Sequence, residues 1–313
     1  MAELSTENER KINVKRRGNA VGIGFFEVFF RMFGLRGVYS LLYVVCLHYL
    51  LFDRGAVQAA LAYVEKRFRG ESKAKQYLHV YRLFLNQGRH LIDRYVVTRK
   101  PELFYYQARG YEKFQSLVRD ASHGIILLTA HVGNWQVGLN FLGRLGKKVY
   151  LVMRPEDNQA IRNALKIGDV KDYVEIISPE QYLGGVLEIM KVLEEGNVVS
   201  MMGDRSYTFD TVNVPFLRAE AHFPFGAFSI AAAAGCPVVV LLAQKESDRE
   251  YVVDMSNVIY PCYAKDKDKK AQLRQWVGEY AAMLEAFVNK FPYQCFMFHN
   301  VWSKEKESRD DNK

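Results

Sequence analysis

The feature that most limits what this chain can become is a rhythm that begins near residue 124. GIILLTA (124–130) is a continuous apolar run bounded by glycine, the pattern of a strand buried on both faces. Similar runs recur as KKVYLVM (147–153), VEIIS (174–178), NVVSMMG (197–203), PVVVLLAQ (237–244) and YVVDM (251–255). Between them lie segments with helical spacing: NWQVGLNFLGRLG (134–146), NQAIRNALKI (158–167), EQYLGGVLEIMKVLEEG (180–196) and FSIAAAAG (228–235). Strands alternating with helices predict an α/β fold, a mostly parallel central sheet flanked by helices. Ligands of such sheets bind beyond the carboxyl ends of the strands. Three polar residues stand just past apolar runs: His131, Arg154 and Asp204. Their convergence predicts a site.

Upstream the period changes. AVQAALAYVEKRF (56–68) and the run from Ser72 to Val97 place apolar residues at three- and four-residue spacings. Pro101 ends that pattern, and a further helix is expected near Tyr111. Nearer the start, VGIGFFEVFFRMFGL (21–35) and GVYSLLYVVCLHYLLF (37–52) are dense in aromatics and follow a basic cluster at Lys15, Arg16 and Arg17. The uncharged run 37–52 is shorter than the roughly 20 residues a spanning helix needs. A buried core helix, a membrane-seated hairpin and a short tilted span all fit it. The aromatics and the basic flank favour membrane seating, with the positive side cytoplasmic. No secretory signal pattern is expected. The expected organisation is a polar basic tail (1–20), a membrane-associating segment (21–53), a helical region (54–120), an α/β domain (121–303) and a charged tail (304–313).

His131 sits where the chain leaves a strand and, through Gly133 and Asn134, turns into a helix. A histidine so placed can take a proton from a hydroxyl or amine about to attack an acyl carbon. Backbone N–H groups at the start of the following helix would face the resulting oxyanion. His48, His79, His90, His123 and His299 carry no such turn and read as structural. Composition removes several alternatives. The four cysteines are far apart and share no metal-ligand or disulfide spacing, so neither a metal nor a cofactor is expected. No phosphate-cradling glycine loop follows a strand, and no G-x-S-x-G elbow is present. The net charge of +8 calls for an anionic partner, but the basic residues are scattered and no nucleic-acid motif appears.

The stretch HVGNWQ (131–136) resembles the H-x-x-x-x-[DE] box of the bacterial lipid A secondary acyltransferases. MRPEDNQAI (153–161) is similar to that family's Y-R-P-x-x-N segment. The stretch from Met202 through Pro224 and Pro237 is similar to its D-[QR] box and the segments that follow. FPYQCFMFHNVW (291–302) looks like its closing aromatic signature. The resemblance takes in roughly residues 20–305. It implies a glycerolipid-acyltransferase-like fold and an enzyme at the cytoplasmic face of the inner membrane. Such an enzyme moves an acyl chain from acyl carrier protein or coenzyme A to a lipid or glycolipid acceptor. The same resemblance makes His131 the base, with Gln136, Arg154 and Asp204 beside it in catalysis. It makes Asn134, Asn158, Arg205 and Phe216 substrate-binding, with Pro224 shaping the pocket.

One position departs from the pattern: the acid of the H-x-x-x-x-[DE] box is Gln136. Glutamine can accept the imidazole N–H but brings no charge to the imidazolium. In serine proteases, replacing the orienting aspartate by its amide costs about 10⁴ in rate. Three explanations follow. Glu156, Asp157 or Asp204 serves the histidine instead; the acceptor is an amine or a more acidic hydroxyl; or the chain is a non-catalytic binder of lipid or carrier protein.

Overall fold

The computed structural model describes residues 20–97, 99–120, 122–142, 146–153, 174–179, 185–205 and 211–302. The chain divides into two compact units, Met1–Val45 and Cys46–Lys313. Helix α1 (Ala20–Phe52) is interrupted at Gly34, whose φ of 63° leaves the helical region. The stretch Glu27–Phe52 is long and apolar enough to cross a membrane. Half of it is exposed, with Met32 and Val44 at 69% and Phe52 at 72%. A core helix would hide those side chains, so this helix suggests membrane anchoring.

Asp53 stops α1 and starts α2 (Arg54–Arg67), its carboxylate accepting the Ala56 N–H at 3.0 Å. Helix α3 (Lys73–Val97) follows, then a single 3₁₀ turn at Pro101–Leu103. Strand β1 (Tyr105–Arg109) precedes α4 (Tyr111–Asp120). From there the expected alternation appears among the described residues: β2 (Ile125–Thr129), α5 (Trp135–Leu142), β3 (Val149–Val152), β4 (Val174–Ile177), α6 (Val186–Glu194) and β5 (Val198–Met202). After a hairpin come α7 (Gly226–Ala234), β8 (Val238–Lys245), β9 (Glu250–Ile259) and α8 (Lys269–Lys290). The expected helix over 158–167 lies outside the described residues.

Seven strands form one sheet in the order β1-β9-β8-β2-β5-β3-β4. Strands β8, β2, β5, β3 and β4 run parallel, while β9 is antiparallel to β8 and parallel to β1. The mostly parallel α/β expectation therefore holds. Strand β2 lies inside the sheet with Ile125, Ile126, Leu127 and Leu128 at most 1% exposed. Burial of that extent stabilises by about 1.5–3 kcal/mol per side chain before entropy is counted.

Four elements went unread in the sequence. Strand β1 interrupts the stretch expected to be helical. Strands β6 (Thr211–Phe216) and β7 (Ala219–Pro224) make an antiparallel hairpin. Its turn is Leu217-Arg218, both at positive φ (51° and 59°), where Asn-Gly would be usual. The strain is held from outside: Leu217 N–H donates to Glu285 at 2.7 Å, and Arg69 donates to the Leu217 and Arg218 carbonyls. Helix α8 is capped by Asp268 and buries Leu273, Trp276, Val277, Tyr280, Ala281, Leu284, Phe287 and Val288 along one face.

Candidate active site

Strands β2 and β5 are parallel neighbours with Thr129 opposite Met202. Two residues further along each, the same offset sets His131 beside Asp204. The Asp204 carboxylate takes hold of the histidine twice. Its Oδ2 accepts the main-chain N–H of His131 at 3.0 Å and lies 3.0 Å from Nδ1, with Oδ1 at 3.1 Å. The Asp204 side chain is fully buried, whereas that of His131 is 31% exposed. Burial alone would push the Asp204 carboxyl up. The charge and hydrogen bonds of His131, together with the charge of His299, outweigh it and hold the group below the usual carboxylate range. An ionised carboxylate only accepts, so Nδ1 carries the proton donated to it. The lone pair of the neutral imidazole then lies on Nε2.

The floor beneath this pair is α8. Tyr280 donates its hydroxyl to the Thr129 carbonyl at 2.8 Å, and Gly203 N–H donates to the same oxygen at 2.9 Å. A Cβ on Gly203 would stand 2.8 Å from the Tyr280 ring, so glycine is what lets β5 end so close to the helix.

The turn after His131 is fixed from both sides. Gly133 donates to the Gln294 carbonyl at 2.7 Å, Asn134 N–H to the Ala243 carbonyl at 2.7 Å, and Phe296 N–H to the His131 carbonyl at 2.7 Å. Gly133 has φ of 60°, and a Cβ there would lie 1.9 Å from the Ala243 oxygen, which excludes any side chain on two grounds. Asn134 is buried. Its amide nitrogen lies 3.4 Å from both the His90 carbonyl and the Tyr251 hydroxyl. Tyr251 in turn donates to the buried Asp93, which pairs with Lys245 Nζ at 2.6 Å. Asn134 therefore anchors the turn inside the protein.

Other expected site residues fall elsewhere. Gln136, the second residue of α5, is half-buried. Nδ1 of His131 is bonded to Asp204 rather than to Gln136. Phe216 is fully buried in the hairpin, stacked on Trp302 at 5.7 Å and edge-on to Phe223. Arg205 is half-exposed, and its charge is one of the influences that lower the pKa of His299. Pro224 ends β7. Arg154, Glu156, Asp157 and Asn158 lie outside the described residues.

At the start of α5, the Gly133 and Asn134 N–H groups are spent on carbonyls. The next first-turn N–H groups of α5, which have no carbonyl one turn back within the helix, are those of Trp135 and Gln136. Sequence reasoning passed over Gln294, Phe296 and His299, whose contacts reach the His131 turn or Asp204. Their only sequence signal is the closing aromatic signature in which they sit.

A strand-end histidine bonded to a buried carboxylate on a mostly parallel α/β sheet can act as a general base in group transfer or hydrolysis. The family comparison narrows it: residues 97–304 match the bacterial lipid A biosynthesis acyltransferase family, and the chain belongs to that family. It is an acyltransferase of lipid A biosynthesis. No curated protein matches the chain.

Proposed function

We propose that this enzyme moves a fatty acyl chain from a thioester of acyl carrier protein or coenzyme A to a hydroxyl of a lipid A precursor, with His131 as general base. The observation that carries this reading is the Asp204 carboxylate on Nδ1. It supplies from β5 the negative charge that Gln136 does not bring. Nε2 takes the proton as the acceptor oxygen attacks the thioester carbon. The carbon–sulfur bond then breaks, and the proton passes to the departing thiolate. Asp204 holds the tautomer and steadies the transient imidazolium. In this reading the N–H groups at the start of α5 stabilise the tetrahedral oxyanion, with Arg154 a further candidate for that charge and Arg205 one for a donor or acceptor phosphate.

A lipid acceptor and an anionic donor agree with the apolar N-terminal helix and the net charge of +8. They support a location at the cytoplasmic face of the inner membrane. The test uses membranes carrying the protein, labelled acyl thioesters and bacterial lipid, beside His131→Ala membranes. Transfer into a lipid should fall by more than about 10²-fold in the variant. Full transfer by His131→Ala would rule out the base.

A further inference from the structure

The chain after α8 does more than close the fold. It runs past the catalytic pair and touches both halves in sequence order. The Gln294 side chain clamps the main chain of Lys245 twice: Lys245 N–H donates to Oε1 at 2.9 Å, and Nε2 donates to the Lys245 carbonyl at 2.7 Å. The Gln294 carbonyl then receives Gly133, Cys295 pairs with Val132, and Phe296 N–H reaches the His131 carbonyl. Three residues later, His299 Nε2 meets the main-chain carbonyl of Asp204 at 2.8 Å. A carbonyl oxygen only accepts, so the proton sits on Nε2 of His299. On its other flank Asp204 follows Gly203, whose N–H is bonded to Thr129. The Asp204 main chain is thus held at two points, and its carboxylate has to meet the N–H and Nδ1 of His131 together.

We propose that His299 is a positioning residue for the His131–Asp204 pair: its Nε2–H fixes the Asp204 main chain, and so aims the carboxylate at His131. This rests on the reading of His131 as the base. The groups whose charge bears on His299 are Asp204, Arg205 and His131, while Tyr280 and Cys295 bear on or feel Asp204 from α8 and the closing segment. Burial pushes the His299 imidazole below its usual range against the pull of Asp204, which favours the neutral donor form the contact needs. Acid that protonates His299 would place a second cation against Asp204, in competition with His131.

Four proteins in membranes decide the matter: wild type, His299→Met, His299→Gln and His131→Ala. Each is assayed with acyl thioesters of carrier protein and a lipid A precursor over about pH 5 to 9. His299→Met, which lacks the donor, should lower kcat about tenfold or more and leave KM within about twofold. It should also move the acid limb of the kcat profile to lower pH, because a misaimed carboxylate stabilises the charged form of the base less. His299→Gln, which keeps an N–H donor, should restore both. An unmoved acid limb in His299→Met, or equal losses in the Met and Gln variants, would overturn the proposal even with His131→Ala inactive. Full activity in His131→Ala overturns it by removing the base it serves. Imidazole ¹⁵N shifts of the wild-type protein give an answer independent of any variant's folding. A neutral Nε2–H ring at His299 supports the proposal, and an Nδ1–H tautomer overturns it.

Discussion

At the residue scale the decisive substitution is the one that breaks the family pattern. Gln136 stands where the box has an acid, yet the bonded carboxylate on His131 is Asp204. Two variants should therefore behave oppositely. Asp204→Asn keeps shape and removes charge, and should lower kcat by roughly 10³–10⁴, as amide replacement does in a serine protease. Gln136→Glu should leave kcat within about threefold or raise it, since His131, the proposed base, already has a carboxylate partner. Steady-state transfer assays on the two variants check both, and a severe loss in Gln136→Glu would be inconsistent with the assignment. The histidine, the aspartate and the glycine turn were all legible in the sequence as residues past strand ends. Which carboxylate the histidine chose was not, because that depends on β5 being the neighbour of β2. The buried positions of Asn134 and Phe216 were not legible for a related reason. A residue type beside a motif does not reveal whether its side chain turns outward or into the core.

At the element scale the strands that repeat an apolar rhythm were easy to read, and the hairpin was not. Strands β6 and β7 meet through Leu217-Arg218, a pair that carries no turn signal and holds positive φ only because Glu285 and Arg69 bind its backbone. Arg218→Gly removes a side chain from a left-handed position and should stabilise the protein by about 0.5–1 kcal/mol. Urea unfolding of the two proteins measures it, provided the Arg69 contacts, which go to main-chain carbonyls, survive. Strand β1 was hidden because its partner β9 lies about 145 residues away, with Tyr105 opposite Glu250, and its own five residues alternate only weakly. Helix α8 was legible in principle. Its apolar residues recur at three- and four-residue spacing behind an aspartate cap.

At the scale of the whole molecule, two properties follow from where charge is hidden. His90 is buried on α3, with Nδ1 bonded to the Asn86 carbonyl, and burial lowers its pKa to about 4. Its folded pKa lies below the unfolded value, so the unfolded chain takes up the proton first. Stability is unaffected above about pH 6.5 and is lost as pH falls from there toward 4, by on the order of 3 kcal/mol in total. The fall in melting temperature between pH 7 and 4.5 should be smaller in His90→Gln, which can keep the bond to Asn86 without titrating. The second property is membrane association. Val44 and Leu51 are exposed apolar residues of α1. Replacing both by lysine should shift the protein from the membrane to the soluble fraction in flotation assays, since a cation within an apolar stretch costs up to about 2.5–3.5 kcal/mol at its centre and less toward its ends.

The sequence by itself determined the sheet class, because the period of apolar burial is a local property that each segment carries alone. It also determined the histidine, its turn and the apolar N-terminal helix, and through ordered motifs the family. Only the tertiary structure decided the strand order, and with it that residues 131 and 204 meet. Only the tertiary structure brought the closing segment against both. The meeting of residues 131 and 204 and the seating of the closing segment depend on contacts between residues 73 to 165 positions apart. Such contacts are set by how the whole core packs, and nothing within a single segment records them.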